Sequence, residues 1–465
     1  MDNHRDDAAD VLVIFGITGD LARRMTFRAL YRLERRGLLD CPIIGVASDD
    51  ITTEQLVKHA REAIVESGQD ADDAVFDRLA RRMSYLSGDV SDAALYRSLA
   101  TEIGDRQRPV YYLEVPPSLF APIVEELGAA KLLREGRVAV EKPFGHDLAS
   151  ARQLNARLHR LLRESQILRV DHFLGQEPVV ELEYLRFANV ALADLWDRKS
   201  VSCVQITMAE DFGVEGRGRF YDSVGALRDV VQNHLLQVLA LVAMDPPVGA
   251  SADDTQDKKA EVFRAMPPAD PQHCVRGQYH GYAEVPGVAS GSATETFVAL
   301  RLEIDNWSWA DVPVFLRAGK ALPHKVTEVR LLLRRTPRLA FLPEPTRAEP
   351  NQIVLRIDPD PGLRLQLSAL GGQSWRAVHL DTSFARELGE PPEPYEVLLH
   401  AAMVGDHQYF AREDSVEETW RIVRPLLDHP PDARLYPRGS WGPDEAQALL
   451  RGHPRWQQPW LPEEG

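Results

Sequence analysis

Residues 11–37 contain the stretch that most restricts what this chain can fold into. Val11-Leu-Val-Ile-Phe15 is followed by Gly16-Ile-Thr-Gly-Asp20, then by LARRMTFRALYRLERRG, which closes at Gly37. Five consecutive apolar residues bounded by glycine suit a strand covered on both faces, as in the middle of a parallel sheet. The glycines allow a tight turn and a close approach of the backbone. The helix that follows presents unpaired N–H groups and the positive end of its dipole to whatever lies at the turn. A pyrophosphate is held well at such a place, so Gly16, Thr18, Gly19, Asp20 and Leu21 are candidate cofactor-binding residues. Two glycines are a weaker signature than three, and a tight turn that holds no ligand also fits these residues.

The pattern repeats along the first third of the chain. Pro42-Ile-Ile-Gly-Val46 reads as the next buried strand, amphipathic helices run to about residue 83, and Val110–Leu113 and Arg137–Val140 are further short strands. Strands alternating with helices predict a Rossmann-like, doubly wound parallel sheet over residues 1–170. Beyond it, 178–195 and 225–244 read as long helices. Segments 201–207, 297–302, 328–333 and 352–357 read as strands between Gly/Pro turns. The class expected is α/β followed by α+β, residues 171–465 forming a large, mainly antiparallel sheet with helices. The extreme ends, 1–8 and about 445–465, are expected to be loosely ordered.

Charge and composition exclude several classes of function. A net charge of -16 leaves no excess of Lys and Arg for sequence-independent nucleic-acid binding, and it repels anionic lipid. No apolar run approaches the ~20 residues that span a bilayer. The charged start, MDNHRDDAAD, is unlike a signal peptide. Cys41, Cys203 and Cys274 lack paired spacing, so neither a disulfide framework nor a metal site is expected, and a cytoplasmic location is.

Four more stretches carry chemistry. In Gly45-Val-Ala-Ser48-Asp49-Asp50, the position that meets an adenosine ribose holds Ser and two acids. Such residues suit the 2′-hydroxyl of NAD better than the 2′-phosphate of NADP, although Asp49 and Asp50 equally suit a cap on the next helix. Lys142, in Val140-Glu-Lys-Pro-Phe-Gly145, stands at a strand end, where side chains face the ligand crevice. Asp171-His172 follows an apolar strand; alone, such a pair is usually structural. Arg228-Asp229-Val-Val-Gln-Asn-His234 crowds polar groups onto an apolar helix, where burial is costly without partners or a site.

In this order, GITGDLA (16–22), EKPFG (141–145), RVDHFLGQE (169–177), LRFAN (185–189), EDFGVEGRG (210–218), RDVVQNHLLQ (228–237), FLRAGKAL (315–322) and WRIVRPLL (420–427) resemble the glucose-6-phosphate dehydrogenase family over nearly the whole chain. The resemblance implies hydride transfer from C1 of a hexose to NAD or NADP, most simply converting glucose 6-phosphate to 6-phosphogluconolactone at the head of the pentose phosphate pathway. By the same resemblance His234 is the general base and Asp171 the carboxylate that orients it. Lys142 lies between sugar and nicotinamide. Glu210, Asp229, Lys320 and Lys325 contact the sugar, and His172 with Gln176 occupies the substrate-phosphate position. A homodimer or homotetramer built through the large sheet is also implied.

The chain departs from the family's pattern at a few places. Phe173 and Gln176 stand where the family has Tyr and Lys for the substrate phosphate, Ser48 where it has the arginine for the 2′-phosphate of NADP, and Met25 where it has a lysine. These changes keep two further readings open: an NAD-dependent dehydrogenase of free glucose or of a hexose differently substituted at C6, and a catalytically silent paralogue.

Overall fold

The computed structural model describes residues 7–337, 350–371, 374–389 and 391–462. The chain divides into two compact units. In the first, six parallel strands, β1 (Val11–Phe15), β2 (Ile43–Ala47), β3 (Met83–Ser87), β4 (Pro109–Leu113), β5 (Arg137–Glu141) and β6 (Ile167–Val170), lie side by side in the order β3-β2-β1-β4-β5-β6. This is the doubly wound arrangement, whose order reverses between β1 and β4. All five residues of β1 are fully buried, as expected for a strand with neighbours on both sides and helices on both faces.

A single division after residue 170 leaves out two segments that return to this unit, Pro247–Gln256 and Pro392–Glu417. The physical reason lies in one buried acid. Glu396, on helix Pro394–Val404, accepts from Arg32 Nε at 2.8 Å and pairs with Arg36 Nε at 2.9 Å, both on helix Phe27–Arg36. Phe410–Ala411 then adds a short antiparallel edge to β6.

The second unit is built on a nine-stranded sheet. Its strands are β7 (Val201–Ala209), β8 (Cys274–Tyr279), β9 (Phe297–Leu302), β10 (Val314–Gly319), β11 (Val326–Leu333), β12 (Gln352–Asp358), β13 (Gly362–Gly371), β14 (Ser374–Ser383) and β15 (Ala433–Tyr436). They run β14-β13-β12-β11-β7-β10-β9-β8-β15, antiparallel except for the β7–β10 and β8–β15 pairs. The expected mainly antiparallel sheet is therefore present. The helix expected over 178–195 breaks at Asn189 into Glu177–Phe187 and Val190–Ala193.

Most of the C-terminal stretch is not loose. Arg317, Arg330 and Arg356 are all nearly buried in the sheet, and buried guanidinium groups need acceptors. The tail's carbonyls supply them: Arg317 Nη2 donates to that of Gln457 at 3.4 Å, Arg330 Nη2 to that of Gln458 at 3.0 Å and Arg356 Nη1 to that of Trp460 at 3.3 Å. Trp460 N in turn donates to Glu328 at 2.9 Å. Arg317 lies over the rings of Trp441 and Trp456, and Arg356 over that of Trp460. Residues 1–6 and 463–465 lie outside the described residues. No helix among the described residues is long and apolar enough to cross a membrane, and the three cysteines are buried and unbridged.

Candidate active site

In the first unit the site residues gather at the carboxyl ends of the parallel strands. Gly16 has φ +82°, and a Cβ there would lie 2.2 Å from the carbonyl oxygen of Glu114, so only glycine fits. Gly19 N donates to Gly16 O at 2.8 Å, closing the turn, and Asp20 and Leu21 open the helix. Thr18 Oγ1 donates to Asp49 Oδ2 at 2.5 Å, which ties the turn to the residues after β2. Asp49 and Asp50 do not cap the next helix: Thr52 does, with Gln55 completing a reciprocal capping box. Ser48 and Asp49 are exposed beside the turn.

Lys142 directly follows β5, and Asp171 directly follows β6. Asp171 is almost fully buried, and its Oδ1 accepts from Phe173 N at 3.0 Å, which shapes the turn. Phe173 packs inside, its ring edge-on to His172, while His172 and Gln176 stay partly exposed. Two acids flank this region. Glu141, at the end of β5, accepts from Tyr112 Oη at 2.9 Å and also from Tyr395. Burial pushes its carboxyl up to about 7, the two tyrosine hydroxyls and Lys142 opposing the shift. Glu114, one residue past β4, is pushed up to about 8, chiefly by burial. Sequence reasoning passed over Glu114; the available signal was an acid placed straight after the apolar run Val110–Leu113, where a buried strand end meets the crevice.

In the second unit, residues 227–235 do not follow the ordinary α-helix expected there. Leu227–Leu235 winds as a π-helix before Leu236–Ala243 continues as an α-helix with all eight residues buried. Wider winding pairs residue i with i+5, which brings Asp229 and His234 toward a common face. In an α-helix the same spacing would splay them apart. His234 is nearly buried, and Gln232 Nε2 donates to Thr419 Oγ1 at 2.9 Å, satisfying another polar group of the turn. Glu210, just after β7, forms an ion pair with Lys320, just after β10. Three backbone hydrogen bonds of 2.9 Å each link residues 210–212 to residues 319–322. The Lys320 ammonium also lies 5.3 Å from the Phe212 ring centre and 5.1 Å from that of Tyr221. Lys325, by contrast, is half-exposed and pairs with Asp358 at 2.8 Å.

A doubly wound unit with a glycine turn at the strand-order reversal, and a second unit presenting a histidine, acids and a lysine on rigid supports, define a nicotinamide-dependent oxidoreductase. Family models sharpen the class. The NAD binding domain of glucose-6-phosphate dehydrogenase matches residues 13–181, and the C-terminal domain of the same enzyme matches residues 183–458. The chain belongs to the glucose-6-phosphate dehydrogenase family. It is 73% identical over 455 residues to glucose-6-phosphate 1-dehydrogenase 1 of Mycobacterium tuberculosis (strain ATCC 25618 / H37Rv), covering 98% of this chain and 97% of that one. The crystal structure of glucose-6-phosphate 1-dehydrogenase from Mycobacterium avium is 70% identical with a TM-score of 0.93, covering 98% of this chain and all of that one. A glucose-6-phosphate dehydrogenase in complex with its substrate glucose-6-phosphate is 34% identical with a TM-score of 0.90, covering 97% and 99%.

Proposed function

We propose that this chain oxidises glucose 6-phosphate at C1 to 6-phosphogluconolactone. The observation that carries this reading is the end-to-end 73% identity to a glucose-6-phosphate 1-dehydrogenase. A bound nicotinamide dinucleotide supplies the hydride acceptor. His234 takes the proton of the 1-hydroxyl as the C1–H hydride leaves and the C1=O bond forms. Asp171 holds the imidazole in the required tautomer and stabilises its cation, the role of a third group in a triad. Lys142, Glu210, Asp229 and Lys320 orient the sugar, with Lys325 further out. His172 and Gln176 receive the phosphate, with less charge than the family's usual lysine provides.

Phe173 and Gln176 also favour a second reading, oxidation of a hexose without the 6-phosphate. An initial-rate matrix of glucose 6-phosphate, glucose and other 6-substituted hexoses against NAD and NADP separates the two. Equal kcat/KM for glucose and glucose 6-phosphate would overturn the first, and no oxidation of any sugar with either cofactor would favour a silent paralogue.

For the cofactor, NAD is the better fit. Ser48 supplies no cation for a 2′-phosphate, and an acid such as Asp49, which accepts from Thr18, suits a ribose hydroxyl and repels a phosphate. We further infer a homodimer, or a homotetramer built from it, through β13 and β14. Leu363, Leu365 and Leu367 stand beside Thr382, Leu380 and Val378 on one sheet face. Leu367, Val378 and Leu380 are 41%, 41% and 58% exposed. A largely apolar stripe over the edge strand β14 and its neighbour β13 is what a second copy would cover.

A further inference from the structure

Glu114 stands at the reversal of strand order. It lies one residue past β4, Gly16 one residue past β1, and Phe15 and Leu113 are register partners. Its backbone is held against the glycine turn: Glu114 N donates to Phe15 O at 2.9 Å, and Gly16 has no side chain to intervene. Its side chain is held from the helical side, since Thr26 Oγ1 donates to Oε1 at 2.5 Å. The other oxygen, Oε2, is buried and has no hydrogen-bond partner among the described residues. A buried polar atom left unpaired is destabilising, so its persistence at a ligand crevice calls for a reason.

The groups facing this carboxyl are Thr26 from the helical turn after Asp20, Glu141 at the end of β5, Tyr112 of β4 and Tyr395 of helix Pro394–Val404. None is a cation. Burial first, and then the field of Glu141, pushes the Glu114 carboxyl up to about 8, with Thr26 alone opposing. With Oε1 accepting from Thr26, a proton carried on Oε2 makes it a donor that has no acceptor among the described residues. An ionised carboxylate at this point would repel a pyrophosphate, whereas a neutral acid can donate to one.

We propose that Glu114 is a cofactor-recognition residue, donating a hydrogen bond from Oε2 to an oxygen of the pyrophosphate–ribose backbone of the dinucleotide. The test is equilibrium binding of NADH and NADPH to the full-length protein, followed by nucleotide fluorescence from pH 6.5 to 9.5. Wild type is compared with Glu114→Gln and Glu114→Ala, and circular dichroism confirms that each is folded. Wild-type affinity is expected to fall above about pH 8, as the donor is lost. Glu114→Gln, a neutral donor at every pH, should bind as the wild type does at pH 7 and lose that fall. Glu114→Ala should bind roughly tenfold more weakly throughout. Unchanged affinity in Glu114→Ala, or a Glu114→Gln as weak as Glu114→Ala, would overturn the proposal. Neither result would bear on which sugar is oxidised, because the wild-type rate matrix reports that separately.

Discussion

Glu210→Gln separates what the Glu210–Lys320 pair contributes from what each residue contributes alone. The Lys320 side chain is 11% exposed and that of Glu210 28%, so the lysine depends on its partner more than the acid does. At an effective dielectric of about 20, two unit charges at about 4 Å attract by roughly 4 kcal/mol. Removing the carboxylate also removes its own desolvation cost, which offsets about 1–2 kcal/mol of that, while the Phe212 and Tyr221 faces attract the ammonium equally before and after. Removing the acid should therefore destabilise the second unit by about 2–3 kcal/mol, lowering its apparent Tm by roughly 5 °C. Lys320→Met removes the cation, keeps the stem between the rings, and leaves Glu210 where water reaches it, so it should cost only about 1 kcal/mol. The double variant should resemble Lys320→Met, because the stranded charge is then gone. Differential scanning calorimetry of the four proteins reads this directly. A Lys320→Met variant less stable than Glu210→Gln, or additive effects in the double variant, would refute the reasoning. Both single variants should also raise KM for glucose 6-phosphate.

Further expected outcomes concern the chemistry, the cofactor, pH and assembly. His234→Asn should lower kcat about 10²–10⁴-fold with little change in dinucleotide affinity, and steady-state kinetics with a binding titration checks it; near-normal turnover would remove His234 from the role of base. Ser48→Arg should shift the NADP/NAD ratio of kcat/KM upward by roughly tenfold or more, and an unchanged ratio would mean that Ser48 does not face the ribose. Glu114 and Glu141 have carboxyls raised to about 8 and about 7, against about 4.3 in an unfolded chain, so the native state binds more protons across that window. Their contribution to stability is present in full below about pH 4, lost progressively as pH rises from there through 7 to 8, and level above; it amounts to several kcal/mol. Urea midpoints from pH 5 to 9 should therefore fall less steeply in Glu114→Gln/Glu141→Gln than in wild type, and an equal slope would refute the shift. Leu380→Glu should shift the protein toward monomer in size-exclusion chromatography with light scattering, and no change would place the interface elsewhere.

Much of the candidate site's layout was legible in the sequence because its markers are local. A glycine turn between a buried strand and a helix, a lysine at a strand end and an Asp-His after another strand each depend on neighbours within a few residues. The same holds for β1, whose five apolar residues leave no choice but burial. Strand β3 escaped notice because only Met83 of its five residues is buried. The C-terminal tail looked loose because what holds it is a row of arginines more than a hundred residues earlier.

The sequence by itself determined where the glycine turn lies, which residues stand at the strand ends, and that the chemistry is that of a sugar dehydrogenase family. Local pattern and motif order suffice for these. Only the tertiary structure decided that Asp49 serves Thr18 while Thr52 caps the helix, and that a π-helical stretch turns Asp229 and His234 toward one side. It alone put Glu114 where burial pushes its carboxyl up. A carboxyl's charge depends on how much water and which other charges surround it, and Glu141 and Thr26 reach Glu114 only once strands and helix have packed.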